Sequence, residues 1–240
     1  MAKATLRGTC GMTHRFPHAA SRRSIPPLHF FLALSLLLAA PARGLAQGDH
    51  SQEDPSTTRA SRSGAVQEAP SFEIDRAEGP VEIDGVLDEP CWRQAARVPL
   101  PYEWFPGDNL PAPVETQVLL TYDDENLYLA FQARDPEPNR IRANLADRDT
   151  PFQDDHVGFM IDPFNDERRG FQFRVNPLGV QMDAIFSENE GFEDFSWDAI
   201  WDSQGRITAD GYVVEIAVPF KSLRFPRSEH LQTWGFMAFR

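Results

Sequence analysis

The sequence predicts an all-β protein, a two-sheet antiparallel β-sandwich with one short helix near the start of its folded region. Three observations carry that expectation. From Phe72 onward, apolar and polar residues alternate with a period of two in many short runs, the pattern of half-buried strands. The runs are separated by turns of explicit chemistry: Asp123-Asp124-Glu125-Asn126, Asn176-Pro177-Leu178-Gly179 and Asp210-Gly211. No internal repeat and no strand–helix–strand alternation occurs, which excludes doubly wound and (β/α)8 architectures.

Alternation begins at Phe72–Asp75 and recurs at Val81–Asp84. One or two helical turns are expected over Asp88–Ala96, with Asp88 as cap and Pro90 in the first turn. Trp92 ends the amphipathic pattern there and is expected to be the buried anchor of the helix. Strands follow at Val114–Tyr122, Leu127–Arg134, His156–Asp162, Gly170–Asn176, Val180–Ser187, Trp197–Ser203, Tyr212–Pro219 and Trp234–Phe239. The last of these ends in an apolar run, so an unpaired sheet edge and self-association are expected there.

Ahead of the domain, residues 1–46 hold six Lys/Arg and no acidic residue, and Arg22-Arg23 precede a 13-residue apolar run, Leu28–Ala40. Small residues at Gly44 and Ala46 then fit cleavage before Gln47, so a signal peptide is expected. The run is shorter than the ~20 residues of a spanning helix. The true start is Met1 or Met12. Residues 47–71 read as a disordered linker and 72–240 as the domain, whose C-terminal end is expected to continue into a further β-rich region. The protein is therefore expected to be exported: periplasmic, outer-membrane-associated or secreted.

Without the leader, 17 Lys/Arg face 36 Asp/Glu, a formal charge of −19. That balance argues against nucleic acid and against an anionic bilayer surface. Cys91 is then the lone cysteine, flanked by Pro90 and Trp92, and reads as a small buried hydrophobe. No second cysteine supports a zinc site, and no nucleophile elbow, phosphate loop or HExxH helix is present. No carboxylate pair stands out for glycosidase chemistry, and Asp154-Asp155 are expected to point to opposite faces.

The run Val81-Glu82-Ile83-Asp84-Gly85-Val86-Leu87-Asp88-Glu89-Pro90-Cys91-Trp92 resembles the opening signature of family 9 carbohydrate-binding modules. Asp154–Pro163 looks like the central strand of that domain, and Gly211–Phe220 like the strand that closes it. Phe164–Gly170, Asn176–Asp183, Trp197–Trp201 and Phe220–Phe225 are similar to the branch found at the N-terminus of large exported bacterial proteins with a β-rich C-terminal region. The resemblance covers 72–240. It implies a β-sandwich that binds a glycan without catalysing its hydrolysis.

A sugar site needs an aromatic plate with planar donors and acceptors beside it. Candidates are Trp197, Trp104, Trp201, Arg174, Asn176, Gln181 and Asp183. As a strand, 197–201 would place both indoles on one face ~13 Å apart. Arg174 and Asn176 would share a hairpin face with Gln172, and Gln181 would share one with Asp183. No catalytic residue and no cofactor is assigned. Structural calcium at the acidic turns 123–126 and 165–167 is an alternative to solvated turns, as related modules carry it. Haem is a weaker rival, since His156 and Met160 lie too far apart along one strand and Met182 or Met237 would have to serve. The expected partner is a glycan or polysaccharide. The alternatives are a structural or docking domain of a membrane-associated β-rich protein, and an accessory part of a glycoside hydrolase.

Overall fold

The computed structural model describes residues 2–6, 70–103, 109–151, 153–228 and 231–240, all within one compact unit. The predicted leader beyond Leu6, most of the linker, Trp104 and His230 lie outside the described residues.

Fourteen strands form among them: β1 (Ala2–Leu6), β2 (Ser71–Ile74), β3 (Ala96–Pro99), β4 (Tyr102–Glu103), β5 (Leu110–Pro111), β6 (Thr116–Tyr122), β7 (Asn126–Arg134), β8 (Val157–Asp162), β9 (Arg169–Val175), β10 (Gln181–Ser187), β11 (Phe192–Asp194), β12 (Asp202–Thr208), β13 (Gly211–Pro219) and β14 (Gln232–Phe239). One sheet runs β11-β10-β9-β8-β14-β1-β2, a second runs β12-β13-β7-β6-β3, and β4 and β5 form a separate ribbon. Pairing is antiparallel throughout except for β1 with β2. The fold is the predicted sandwich.

Its core lies between the two large sheets. Val118, Leu120, Leu129, Phe131, Val214 and Ile216 face Phe159, Ile161, Phe171, Phe173, Trp234 and Phe236, the alternate residues of each strand. The other face of the five-stranded sheet is covered by the short helix α1 (Cys91–Gln94). There Cys91 and Trp92 pack with Leu119, Tyr128, Ala130 and Ala217. Trp92 is the buried anchor that the sequence predicts, at 2% exposure. The helix is shorter than expected, and Pro90 rather than Asp88 stands at its N-cap.

Two sequence-predicted strands are absent as such. Val81–Asp84 does not pair with a neighbouring strand; the backbone N–H groups of Asp84 and Gly85 donate instead to the Glu215 carboxylate. Trp197–Trp201 is not a ladder strand either, and β12 starts only at Asp202. Conversely, β3 arises where the sequence suggests the end of a helix.

The turn between β9 and β10 is pinned to β12. Gly179 has φ +86°, and a Cβ placed on Gly205 would sit 2.5 Å from the Pro177 carbonyl oxygen and 2.7 Å from the Gly179 nitrogen. Backbone thus meets backbone here, which only glycine allows.

β14 pairs with β8 on one side and, on the other, with β1, which comes from the segment read as the leader; within 72–240 that side of β14 has no strand. No helix among the described residues is long and apolar enough to cross a membrane.

Candidate functional site

The β9–β10 hairpin sorts the predicted ligand residues by face. Paired residues in a ladder share a face, and neighbours along the strand do not. Arg174 lies opposite Met182 and Gly158, whereas Asp183 lies opposite the core residue Phe173. The sequence-predicted set therefore divides: Arg174 belongs to the outer face of the seven-stranded sheet, and Asp183, Trp197 and Trp201 to its inner side.

The inner group is built around Arg148, which sequence reasoning did not single out. Its guanidinium donates to the Asp183 carboxylate, to Gln181 Oε1 at 2.9 Å and to the Ala199 carbonyl at 2.8 Å. It also lies over the Trp201 ring, 5.8 Å from the centroid. The second carboxylate oxygen of Asp183 accepts from the Ala199 backbone N–H at 2.6 Å, and Gln181 Nε2 donates to the Trp201 carbonyl at 2.9 Å and to Ser203 Oγ at 3.2 Å. Segment 197–203 is clamped to the hairpin. Asp183 is 1% exposed and Trp201 4%, so both support the structure from within. Trp197 is half-buried against Phe171 and Phe173, with ring centroids 5.0 and 5.8 Å apart. The alternation read from the sequence holds, but its indoles turn toward the core.

Asn176 is also internal. Its Nδ2 donates to the Asn144 carbonyl and to Asp154, both at 2.9 Å, while its Oδ1 accepts from Leu178 and Val180. Asp154 and Asp155 hold the 142–144 loop by accepting from its backbone N–H groups. Among the predicted residues, Trp104 lies outside the described residues.

A metal finds a poor fit. Asp149, Asp183 and Asp198 bring carboxylate oxygens within 4.8 Å of one another, a set suited in chemistry to calcium. Arg148 stands among them, its Nε 3.6 Å from Asp149 and 3.7 Å from Asp198. The guanidinium already supplies the cation. At the 123–126 turn the Asp123 carboxylate is taken by the N–H groups of Glu125 and Asn126 and by the Tyr128 hydroxyl; at the second turn, Asp166 accepts from the Arg168 N–H.

The outer face carries a second charged cluster, its Arg174 side chain 17% exposed against 32% for Arg148. Arg174 pairs with Glu193, and its guanidinium carbon lies 5.9 Å from the Phe195 ring centroid and 5.5 Å from that of Phe239. Gly158 makes room for this arrangement, since a Cβ there would meet the Phe239 ring at 2.6 Å. His156 packs edge-on against Phe239 at 6.5 Å, with Nδ1 3.1 Å from the Asp154 carbonyl oxygen. Burial, aided by the charge of Arg174, lowers the His156 pKa, so the ring is neutral at pH 7. One register step away, Gln172 is 5% exposed. Its Oε1 and the Arg174 Nε are buried without a hydrogen-bond partner. Toward the other end of β8 and β9 lies a cavity of about 250 Å³ lined by Asp162, Glu167, Arg169, Gly170, Phe186 and Glu188. Met160 and Met182 are buried.

The chain matches the family described as carbohydrate family 9 binding domain-like over residues 83–239, and it belongs to that family. Endo-1,4-beta-xylanase A of Thermoanaerobacterium saccharolyticum is 27% identical over 146 residues, 59% of this chain. The chain spans only 11% of that relative's length. Among solved structures, a family 9 carbohydrate binding module from Caldicellulosiruptor kristjanssonii in complex with glucose is 20% identical, with a TM-score of 0.43 and coverage of 68% of this chain and 74% of that one. The same organism's module in complex with cellotriose is 18% identical, with a TM-score of 0.41 and coverage of 68% and 83%.

Proposed function

We propose that this domain binds a glycan, without hydrolysing it, on the outer face of its seven-stranded sheet around Arg174. The observation that supports the reading most is the guanidinium held between Phe195 and Phe239 and paired with Glu193. Phenyl rings offer an apolar plate for the C–H face of a sugar, and the fork of an arginine reaches paired hydroxyls. Family membership supplies the ligand class. The 250 Å³ cavity at the other end of β8 and β9 falls just short of the roughly 300 Å³ at which small-molecule sites begin and is separate from this site.

Export by the leader 1–46 is part of the same proposal, since polysaccharides too large to enter cells are met outside. The test is calorimetric titration of the full chain with a panel of neutral oligosaccharides, cellotriose among them. Arg174→Lys keeps the charge but loses the planar fork, and should weaken binding about tenfold or more. Failure of every glycan to bind, or unchanged affinity in both Arg174→Lys and Phe239→Ala, would overturn the assignment.

A further inference from the structure

The seven-stranded sheet contains a position one strand wide that is filled from far away in sequence. β1 lies between β14 and β2, with Ala4 opposite Trp234 on one side and Phe72 on the other. Residues 7–70 intervene before β2. The leader expected from the sequence would be cut after Ala46, and that cut would take β1 with it. β14 and β2 would then face each other across an empty lane of backbone donors and acceptors.

The lane restricts what can enter it. An occupant must form hydrogen bonds along both edges, antiparallel to β14 and parallel to β2. The edge strand of another folded sheet has only one edge free, so a second copy offering its own β14 cannot fill the lane. What fits is an isolated extended segment of about five residues, the length of β1. The walls add a side-chain requirement: Phe72 and Phe236 meet edge to face at 5.7 Å although β1 runs between their strands. The register position beside Phe72 is held by alanine.

We propose that the lane between β14 and β2 is a strand-acceptor site. Ala2–Leu6 fills it in the uncleaved chain, and after removal of residues 1–46 it takes an extended peptide segment of a partner by β-augmentation, with a small residue at the position of Ala4. Backbone hydrogen bonds would supply the affinity and that small residue the selectivity.

The experiment uses the full chain carrying Ala4→Pro, which removes a ladder N–H from the middle of β1, and a fluorescent peptide with the sequence of residues 1–8. The variant should remain folded by circular dichroism and bind the peptide, while the unsubstituted chain does not. Amides of Gln232–Phe236 should exchange at least about tenfold faster in the variant and recover protection with peptide. A peptide with leucine in place of Ala4 should bind about tenfold more weakly. A folded variant that ignores the peptide and keeps β14 protected would overturn the proposal. So would an unfolded variant, since β1 would then be a fixed part of the fold and not an exchangeable strand.

Discussion

The Trp92 indole N–H donates to Glu215 Oε1 at 3.0 Å across 123 residues of sequence, and it also reaches Glu89 Oε2 at 3.0 Å. The other Glu215 oxygen accepts from the backbone N–H groups of Asp84 and Gly85. One fully buried carboxylate thus ties the loop before α1 and the anchor of α1 to β13. It explains why Val81–Asp84 has a strand's alternation and no strand partner.

Glu215 should make stability pH-dependent in an unusual direction. Burial raises its pKa to about 7 from an ordinary 4.5, with Glu89 adding to the effect and the three N–H donors opposing it. The folded state then holds the proton more tightly than the unfolded state. This contribution is complete below about 4.5 and is lost as pH rises through about 7. Its size is up to roughly 3 kcal/mol. Urea midpoints measured from pH 4.5 to 8 should fall less steeply in Glu215→Gln than in the unsubstituted chain. Parallel slopes would show that Glu215 does not titrate in this window.

Trp92→Ala should cost roughly 3–5 kcal/mol, because it empties a site walled by Leu119, Tyr128 and Ala217. It also strips a hydrogen-bond donor from two carboxylates. Trp92→Phe keeps most of the volume and loses only the donor, so the two melting temperatures separate packing from hydrogen bonding.

Arg148→Met should destabilise by about 3–5 kcal/mol, since it leaves the fully buried Asp183 side chain without its counter-charge. Adding calcium or a chelator to the unsubstituted chain should leave its melting temperature unchanged. A rise of several degrees with calcium would show that the three aspartates accept a metal despite the guanidinium.

Trp197→Ala should lower the melting temperature, because the indole packs on Phe171 and Phe173. Phe239→Ala should instead reduce glycan affinity more than stability. If Trp197→Ala abolished binding with no change in melting, the ligand would lie on the inner side.

Much of the sandwich was legible because its strands bury one face: β6 to β10, β13 and β14 lie within two residues of the runs read from alternation. Alternation alone does not say which face is inside. That ambiguity lets Trp197 and Trp201 look like a ligand platform in sequence, whereas in the fold both flank Phe173. Arg148 left no signal, since Asp147-Arg148-Asp149 looks like any solvated loop until the fold brings Asp183 and Ala199 beside it. The pairing of β8 with β14, some 70 residues apart in sequence, depends on long-range packing that no local pattern encodes. The Glu215 clamp was hidden for the same reason, although the glutamate breaks the apolar run of β13 and so marked itself as unusual.

The contact of Gly205 with Pro177 and Gly179 has a practical consequence for anyone who wishes to modify this domain. Short polar hairpin tips are ordinarily the first choice for epitope tags, new termini or grafted loops. The Asn176–Gly179 tip looks suitable by sequence, yet it is wedged against a second sheet with no room for one additional carbon. The tip at Asp123–Asn126 is no freer: its two middle residues are exposed, but Asp124 pairs with Arg76 and the Glu125 carbonyl accepts from the Phe220 N–H at 2.8 Å, so an insertion there would break both ties.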